Sequence, residues 1–240
     1  MPVAQLRPQD RYALVGKTRS GKTALAMVLA GTFARTLASP WEVWWIYTKN
    51  DPKDLASLRG WGFRNAASKK DSSGENGGLN NAVYFMIRTK NAKGEDLSTV
   101  DQIQMILEAA YDRGHVVLVI DEYVQAIVSA RSAGKALLDV FQRGGGKNVG
   151  LIGLTQEPVY VPRQLISQAT HIILLTLTYE ADIKYVRNLN PNYVPPIKRG
   201  DPYGFYWSWV DGSADWDYYS NQSIWFDQLQ VAKPAGGEAI

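Results

Sequence analysis

The chain has 240 residues, 45% of them hydrophobic and 20% charged, with a net charge of +3 and a sequence pI of about 8.9. This balance excludes a disordered chain and allows one substantial core, while leaving little room for two full domains around a nucleotide fold. With no cysteine, disulfides, thiolate chemistry and cysteine-ligated zinc are excluded; no stretch approaches the ~20 apolar residues of a membrane span, and the slight basic excess permits contact with nucleic acid without arguing for it.

Residues 1–10, MPVAQLRPQD, lack the layout of a signal peptide and read as an N-terminal arm. The apolar run Tyr12–Val15 ends at a glycine and leads into apolar residues at helical spacing, Leu25, Leu29, Phe33 and Leu37, so strand, loop and helix are expected in turn. Val43 to Tyr47 reads as the next strand, followed by the polar turn Thr48–Asp51 and a short helix over Pro52–Leu58. Residues 67–81 carry almost no apolar side chain and are expected to form a mobile loop. A strand over Val83–Ile87 follows. Ser98 with Asp101 resembles a capping box opening an amphipathic helix through Ile103, Ile106, Leu107 and Ala110 to Gly114.

The run Val116–Ile120 is a fully apolar strand, and a helix is expected from about Val124 to Gln142, ending in Arg143 and three glycines. Val149–Leu154 and Ile172–Leu177 complete the apolar strands. Strands without a polar face, separated by helical segments, imply a parallel sheet covered on both sides, so the fold class is α/β within one domain spanning 1–240. Over residues 201–240 aromatics alternate with small or polar residues around Asp211-Gly212, which is a hairpin signature, and residues 232–240 read as a frayed tail.

Gly16-Lys17-Thr18-Arg19-Ser20-Gly21-Lys22-Thr23 fits the GxxxxGK[ST] phosphate loop, with a strand before it and a helix after it. In that motif the glycines let backbone N–H groups curl around phosphates, the helix N-terminus adds its positive end, Lys22 reaches the β- and γ-phosphates, and Thr23 gives an oxygen to Mg²⁺. ATP and Mg²⁺ are therefore the expected ligands. Val116–Ile120 ends in Asp121-Glu122, a pair suited to holding Mg²⁺ through water on Asp121 and to orienting or deprotonating the attacking water through Glu122. The bland alternative is a helix cap with a first-turn acid. Gln156, at the end of another apolar strand, is placed to hydrogen-bond the γ-phosphate or the water, or simply to end the strand.

Taken with the post-strand Asp51-Pro52-Lys53 and the block QRGGGKNVGLIGLTQEP at 142–158, these motifs resemble the FtsK/HerA superfamily of pumping ATPases, over residues of about 10 to 180. The resemblance implies a RecA-like P-loop NTPase fold with a mostly parallel central sheet, helices on both faces and, here, an added C-terminal aromatic β-hairpin. It also implies a homo-hexameric ring around double-stranded DNA, with an arginine of one subunit completing the next subunit's site. Arg143 matches that position best, with Arg131 and Arg163 as substitutes; a solvated helix end is the alternative for Arg143. A bare motor of this size is similar to the genome-packaging ATPases of membrane-containing icosahedral viruses. The implied setting is a virion or host cytoplasm, with capsid vertex or virion membrane proteins as further partners. Other motors of the superfamily, for unwinding, conjugation or filamentous-phage assembly, and a non-catalytic ATP-binding scaffold are the alternatives.

Lys69 and Lys70 in the 67–81 loop, and the Lys198-Arg199 pair, are candidates for gripping DNA phosphates, with solvated surface as the alternative for each. The aromatic hairpin is suited to covering the sheet, sealing an interface or stacking on bases. His115 and His171 have no metal-ligand spacing to any partner and are assigned no catalytic role.

Overall fold

Short runs of Val, Ile, Leu and aromatic residues form strands here because each is long enough to cross a sheet and carries no polar face to leave in water. A computed structural model describes residues 5–49, 51–67, 81–122, 127–129, 132–161, 166–209, 215–220 and 230–231. The chain runs through β1 (Gln5–Leu6), β2 (Arg11–Val15), α1 (Lys22–Thr36), β3 (Glu42–Tyr47), α2 (Pro52–Gly60), β4 (Arg64–Asn65), β5 (Ala82–Met86), α3 (Thr99–Arg113), β6 (Val116–Ile120), β7 (Ile127–Ser129), β8 (Ser132–Ala133), α4 (Lys135–Arg143), β9 (Val149–Thr155), β10 (His171–Leu174), α5 (Glu180–Arg187), β11 (Phe205–Trp209), β12 (Trp216–Tyr219) and β13 (Gln230–Val231).

Nine strands make the main sheet in the order β12-β11-β10-β2-β9-β6-β3-β5-β4. From β10 to β4 every pairing is parallel, whereas β11 and β12 add antiparallel to one side. Side chains alternate across the sheet and so build two cores. On one face Val15, Leu118, Ile120 and Leu151 pack with α3, α4 and α5 through Leu107, Leu137, Phe141 and Ile183. On the other, Leu14, Trp45, Val119 and Leu154 pack with α1 and α2 through Leu29, Phe33 and Leu58. The fold is the α/β architecture expected, and among the described residues no helix is long and apolar enough to cross a membrane.

Local signals hold where capping chemistry is present. The Asp51 side chain caps α2 by accepting from the Lys53 N–H at 2.8 Å, and the Ser98 hydroxyl caps α3 by accepting from the Asp101 N–H at 3.1 Å. The strand expected over Ile172–Leu177 ends at Leu174, and the helix expected from Val124 to Gln142 is shorter: among the described residues α4 begins at Lys135, and β7 pairs antiparallel with β8 before it. The adjacent β-branched Ile127 and Val128 favour extended backbone, and helical spacing of buried residues starts only with Ala136, Leu137, Val140 and Phe141. Most of the expected mobile loop, residues 68–80, lies outside the described residues, as do residues 1–4, the Asp211-Gly212 turn and the 232–240 tail. The arm pairs through β1 with β13, in parallel, and buries Leu6.

The aromatic hairpin is core on its inner strand. Phe205, Tyr206 and Trp207 are buried, and the Trp207 indole N–H donates to His171 Nδ1 at 3.2 Å. That bond fixes the His171 proton on Nε2, which donates to Asp10 Oδ2 at 3.0 Å, while the ring stacks on Tyr12 at 4.3 Å. His171 thus joins three strands and has a structural role. Replacing Trp207 by Phe keeps an aromatic ring but removes the buried donor, and should lower stability by about 1–3 kcal/mol in urea unfolding.

Candidate active site

The phosphate loop is held by backbone bonds to β9 on one side of β2 and to the segment just after β10 on the other. The Gly16 N–H donates to the Thr155 carbonyl at 3.1 Å, and the Lys17 N–H to the Thr176 carbonyl at 2.8 Å. A Cβ on Gly16 would sit 2.7 Å from Ser20 Oγ and 2.8 Å from Leu175 Cβ, so only glycine allows this closure. Gly21 has φ 96°, and Arg19 has φ 61°, a left-handed value that costs a side-chain-bearing residue about 1 kcal/mol and bends the loop back onto the start of α1. Lys22 opens that helix, almost fully buried, and its ammonium donates to the carbonyls of Gly16 and Lys17.

Because β9 lies between β2 and β6, three strand ends meet at one edge: the phosphate loop, the acid pair and Gln156. Asp121 is fully buried; its Oδ1 accepts from the Thr23 hydroxyl at 3.5 Å and from the Lys49 ammonium at 3.1 Å. The Gln156 amide donates to Glu122 Oε2 at 3.2 Å while its carbonyl oxygen accepts from the Thr18 hydroxyl. One amide therefore joins the loop to the second acid. Beside it a cleft of about 460 Å³ opens, lined by Lys17, Thr18, Gln156, Tyr160, Tyr179 and Asp182.

The expected set Gly16, Lys17, Thr18, Arg19, Ser20, Gly21, Lys22, Thr23, Asp121, Glu122 and Gln156 thus converges. Arg143 does not join it. It ends α4 ahead of β9, whose seven residues span about 23 Å at 3.3 Å each, and so lies at the far edge of the sheet, exposed and 3.5 Å from Asp139. Arg131, Arg163, Lys69 and Lys70 fall outside the described residues. Arg199 lies over the Tyr206 and Tyr218 rings at 5.4 and 4.8 Å, and Lys198 is exposed. Lys49 is the site residue that the motifs miss; its sequence signal is a cation in the polar turn that closes β3, at the same sheet edge as the acids.

Burial sets the proton affinities. It lowers the Lys22 ammonium from 10.5 to about 8, opposed by Glu122 and Asp121 and assisted by Lys49. Burial also raises the Glu122 carboxyl above its usual value, against the pull of Lys22, Thr155, Lys49 and Gln156. Among the buried oxygens without a hydrogen-bond partner are Ser20 Oγ, Asp121 Oδ2 and Glu122 Oε1. Orphaned acceptors at a helix N-terminus, next to a hydroxyl and an ammonium, fit a hydrated Mg²⁺ and a triphosphate. Mg²⁺ is commonly held by one or two protein carboxylates together with substrate phosphates.

No protein-family model matches the sequence, and no curated protein matches it significantly. Solved structures do. The chain is similar to the genome packaging NTPase B204 of Sulfolobus turreted icosahedral virus 2 in complex with AMP, at 18% identity and TM-score 0.63, covering 90% of this chain and 99% of that one. It is similar to B204, the DNA-packaging ATPase of Sulfolobus turreted icosahedral virus, at 18% identity and TM-score 0.64, covering 90% and 98%. The pCW3 conjugation coupling protein TcpA with ATPγS matches at 12% identity and TM-score 0.51, covering 88% of this chain and 60% of that one.

A buried ammonium costs stability. Unfolded, Lys22 keeps its proton up to about 10.5; folded, it releases it near 8, so the penalty is complete below pH 8 and fades as pH rises from 8 to 10.5. Lys22→Met should therefore stabilise the protein by about 2 kcal/mol at pH 7, after allowance for the carbonyl bonds it loses, and by less at pH 10, as read by urea unfolding at both values. The chain has the P-loop NTPase fold, which it shares with viral genome-packaging ATPases and a conjugation coupling protein.

Proposed function

We propose that this chain is a Mg²⁺-dependent ATPase that drives double-stranded DNA into a preformed viral capsid, working as a homo-hexameric ring. The observation that carries the reading is the convergence of Thr23, Asp121, Glu122 and Gln156 at one sheet edge, in a fold that matches a genome-packaging NTPase over nearly the whole of both chains. Thr23 and Asp121 would hold Mg²⁺, and the loop N–H groups with Lys22 would hold the phosphates. When bound, the ion neutralises charge on the phosphate oxygens and polarises the bond to the terminal phosphoryl group.

Glu122 takes the proton of the attacking water on Oε1, the oxygen with no hydrogen-bond partner. Its raised proton affinity suits a base better than that of an exposed glutamate. Gln156 holds the other oxygen and turns the carboxylate toward the loop. Arg143, exposed at the far edge of its own sheet, is available to a neighbouring subunit, where a guanidinium would stabilise charge on the transferring group.

Glu122→Gln should retain nucleotide binding and reduce ATP turnover by about 10²–10⁴-fold. Turnover of the wild type should rise with duplex DNA, and Arg143→Ala mixed in small proportion into wild type should depress it more than in proportion to its share. Hydrolysis absent with and without DNA would favour a nucleotide-binding scaffold; stimulation together with strand separation would favour a helicase.

A further inference from the structure

Asp121 is a carboxylate fully out of water, and such a group costs several kcal/mol unless a counter-charge is held against it. Lys49 supplies that charge, 3.1 Å from Oδ1. Its placement follows from the sheet: β3 lies beside β6 with Ile46 opposite Ile120, so the turn after β3 meets the acid that ends β6. The turn is anchored, because the Tyr47 hydroxyl donates to the Asp51 carbonyl at 2.9 Å and accepts from the Asp51 N–H at 2.8 Å. The Lys49 side chain is 30% exposed, so its ammonium has a route outward to water. Asp54 stands nearby; Asp121 raises its proton affinity and Lys49 opposes that, after the larger effect of burial.

Lys22 and Lys49 face Asp121 and Glu122, two cations against two anions. Mg²⁺ held by Asp121 through water would bring a divalent ion close to the ammonium that sits at hydrogen-bond distance from the same carboxylate. Like charges that close repel by several kcal/mol at a partly buried site. The two cations compete.

We propose that Lys49 is a placeholder on the metal-binding aspartate: it pairs with and orients the Asp121 carboxylate within the core, and it is displaced when Mg²⁺ arrives with nucleotide. This rests on the reading of the site as one for a magnesium nucleotide. It makes Lys49 a positioning residue whose removal strengthens metal binding while weakening the metal-free protein. A lysine whose charge did not bear on the metal site would not couple those two effects.

The test titrates Mn²⁺ into the full chain with a fluorescent ADP analogue, alongside thermal unfolding in EDTA. Lys49→Met should lower the Mn²⁺ concentration at half-saturation by about tenfold, a moderate coupling between two ligands of one site. It should also lower the melting temperature in EDTA, with Mn²⁺ and ADP restoring it. Lys49→Arg, which keeps the charge, should stay close to wild type, and Lys53→Met, which removes an exposed charge four residues on, should leave the midpoint in place. An unchanged or raised midpoint in Lys49→Met, or an equal fall in Lys53→Met, would overturn the competition. If Lys49→Met does not fold, Lys49→Gln is read by the same criteria. Should Mn²⁺ not strengthen nucleotide binding to wild type at all, the magnesium-nucleotide reading itself fails, independently of Lys49.

Discussion

The site depends on one strand. β9 lies between the strand that leads into the phosphate loop and the strand that ends in the acid pair, so β2 and β6 are held two ladder spacings apart, about 10 Å. Without that insertion the loop and the acids would crowd each other; with two inserted strands Thr23 would not reach Asp121. β9 also carries Gln156 into the gap it creates, which is why a neutral amide, able to accept from Thr18 and donate to Glu122 at once, spans the two halves. The spacing is fixed by backbone hydrogen bonds, which the surrounding side chains cannot adjust.

Electrostatics follow from the same geometry. Parallel strands bury their ends beneath helices, so the acids and lysines at this edge are poorly hydrated and interact more strongly than surface groups do. Burial favours the neutral forms of both Lys22 and Glu122, and each charge opposes part of that change in the other. Neither charge cancels the whole cost of burying the other.

Much of the fold was legible because its central strands are apolar and two of its helices, α2 and α3, carry side-chain caps. Gly16 to Thr23 and the Asp121-Glu122 pair were legible because their chemistry needs contiguous residues. The strand order was not, since parallel pairing is set by contacts distant in sequence. Lys49 was missed for that reason: a lysine in a polar turn reads as solvated until β3 is known to lie beside β6. The segment before α4 misled because Ala, Leu and Val later in the same stretch do recur at helical spacing, whereas Ile127 and Val128 prefer a strand. The alternation of Phe205, Trp207 and Trp209 announced a hairpin, but its burial required the pairing with β10 to be seen.

Thr176 gives the molecule a mechanical property. Its carbonyl takes the Lys17 N–H, while its hydroxyl donates to the Pro202 carbonyl at 3.1 Å and accepts from the Ile197 N–H at 3.3 Å. A single residue thus clamps the loop that would grip phosphates to the segment leading into the aromatic hairpin. Any shift of Lys17 must either break that clamp or carry the hairpin root with it, so strain raised at one end of the site is delivered some 180 residues further along the chain rather than dissipated where it arises.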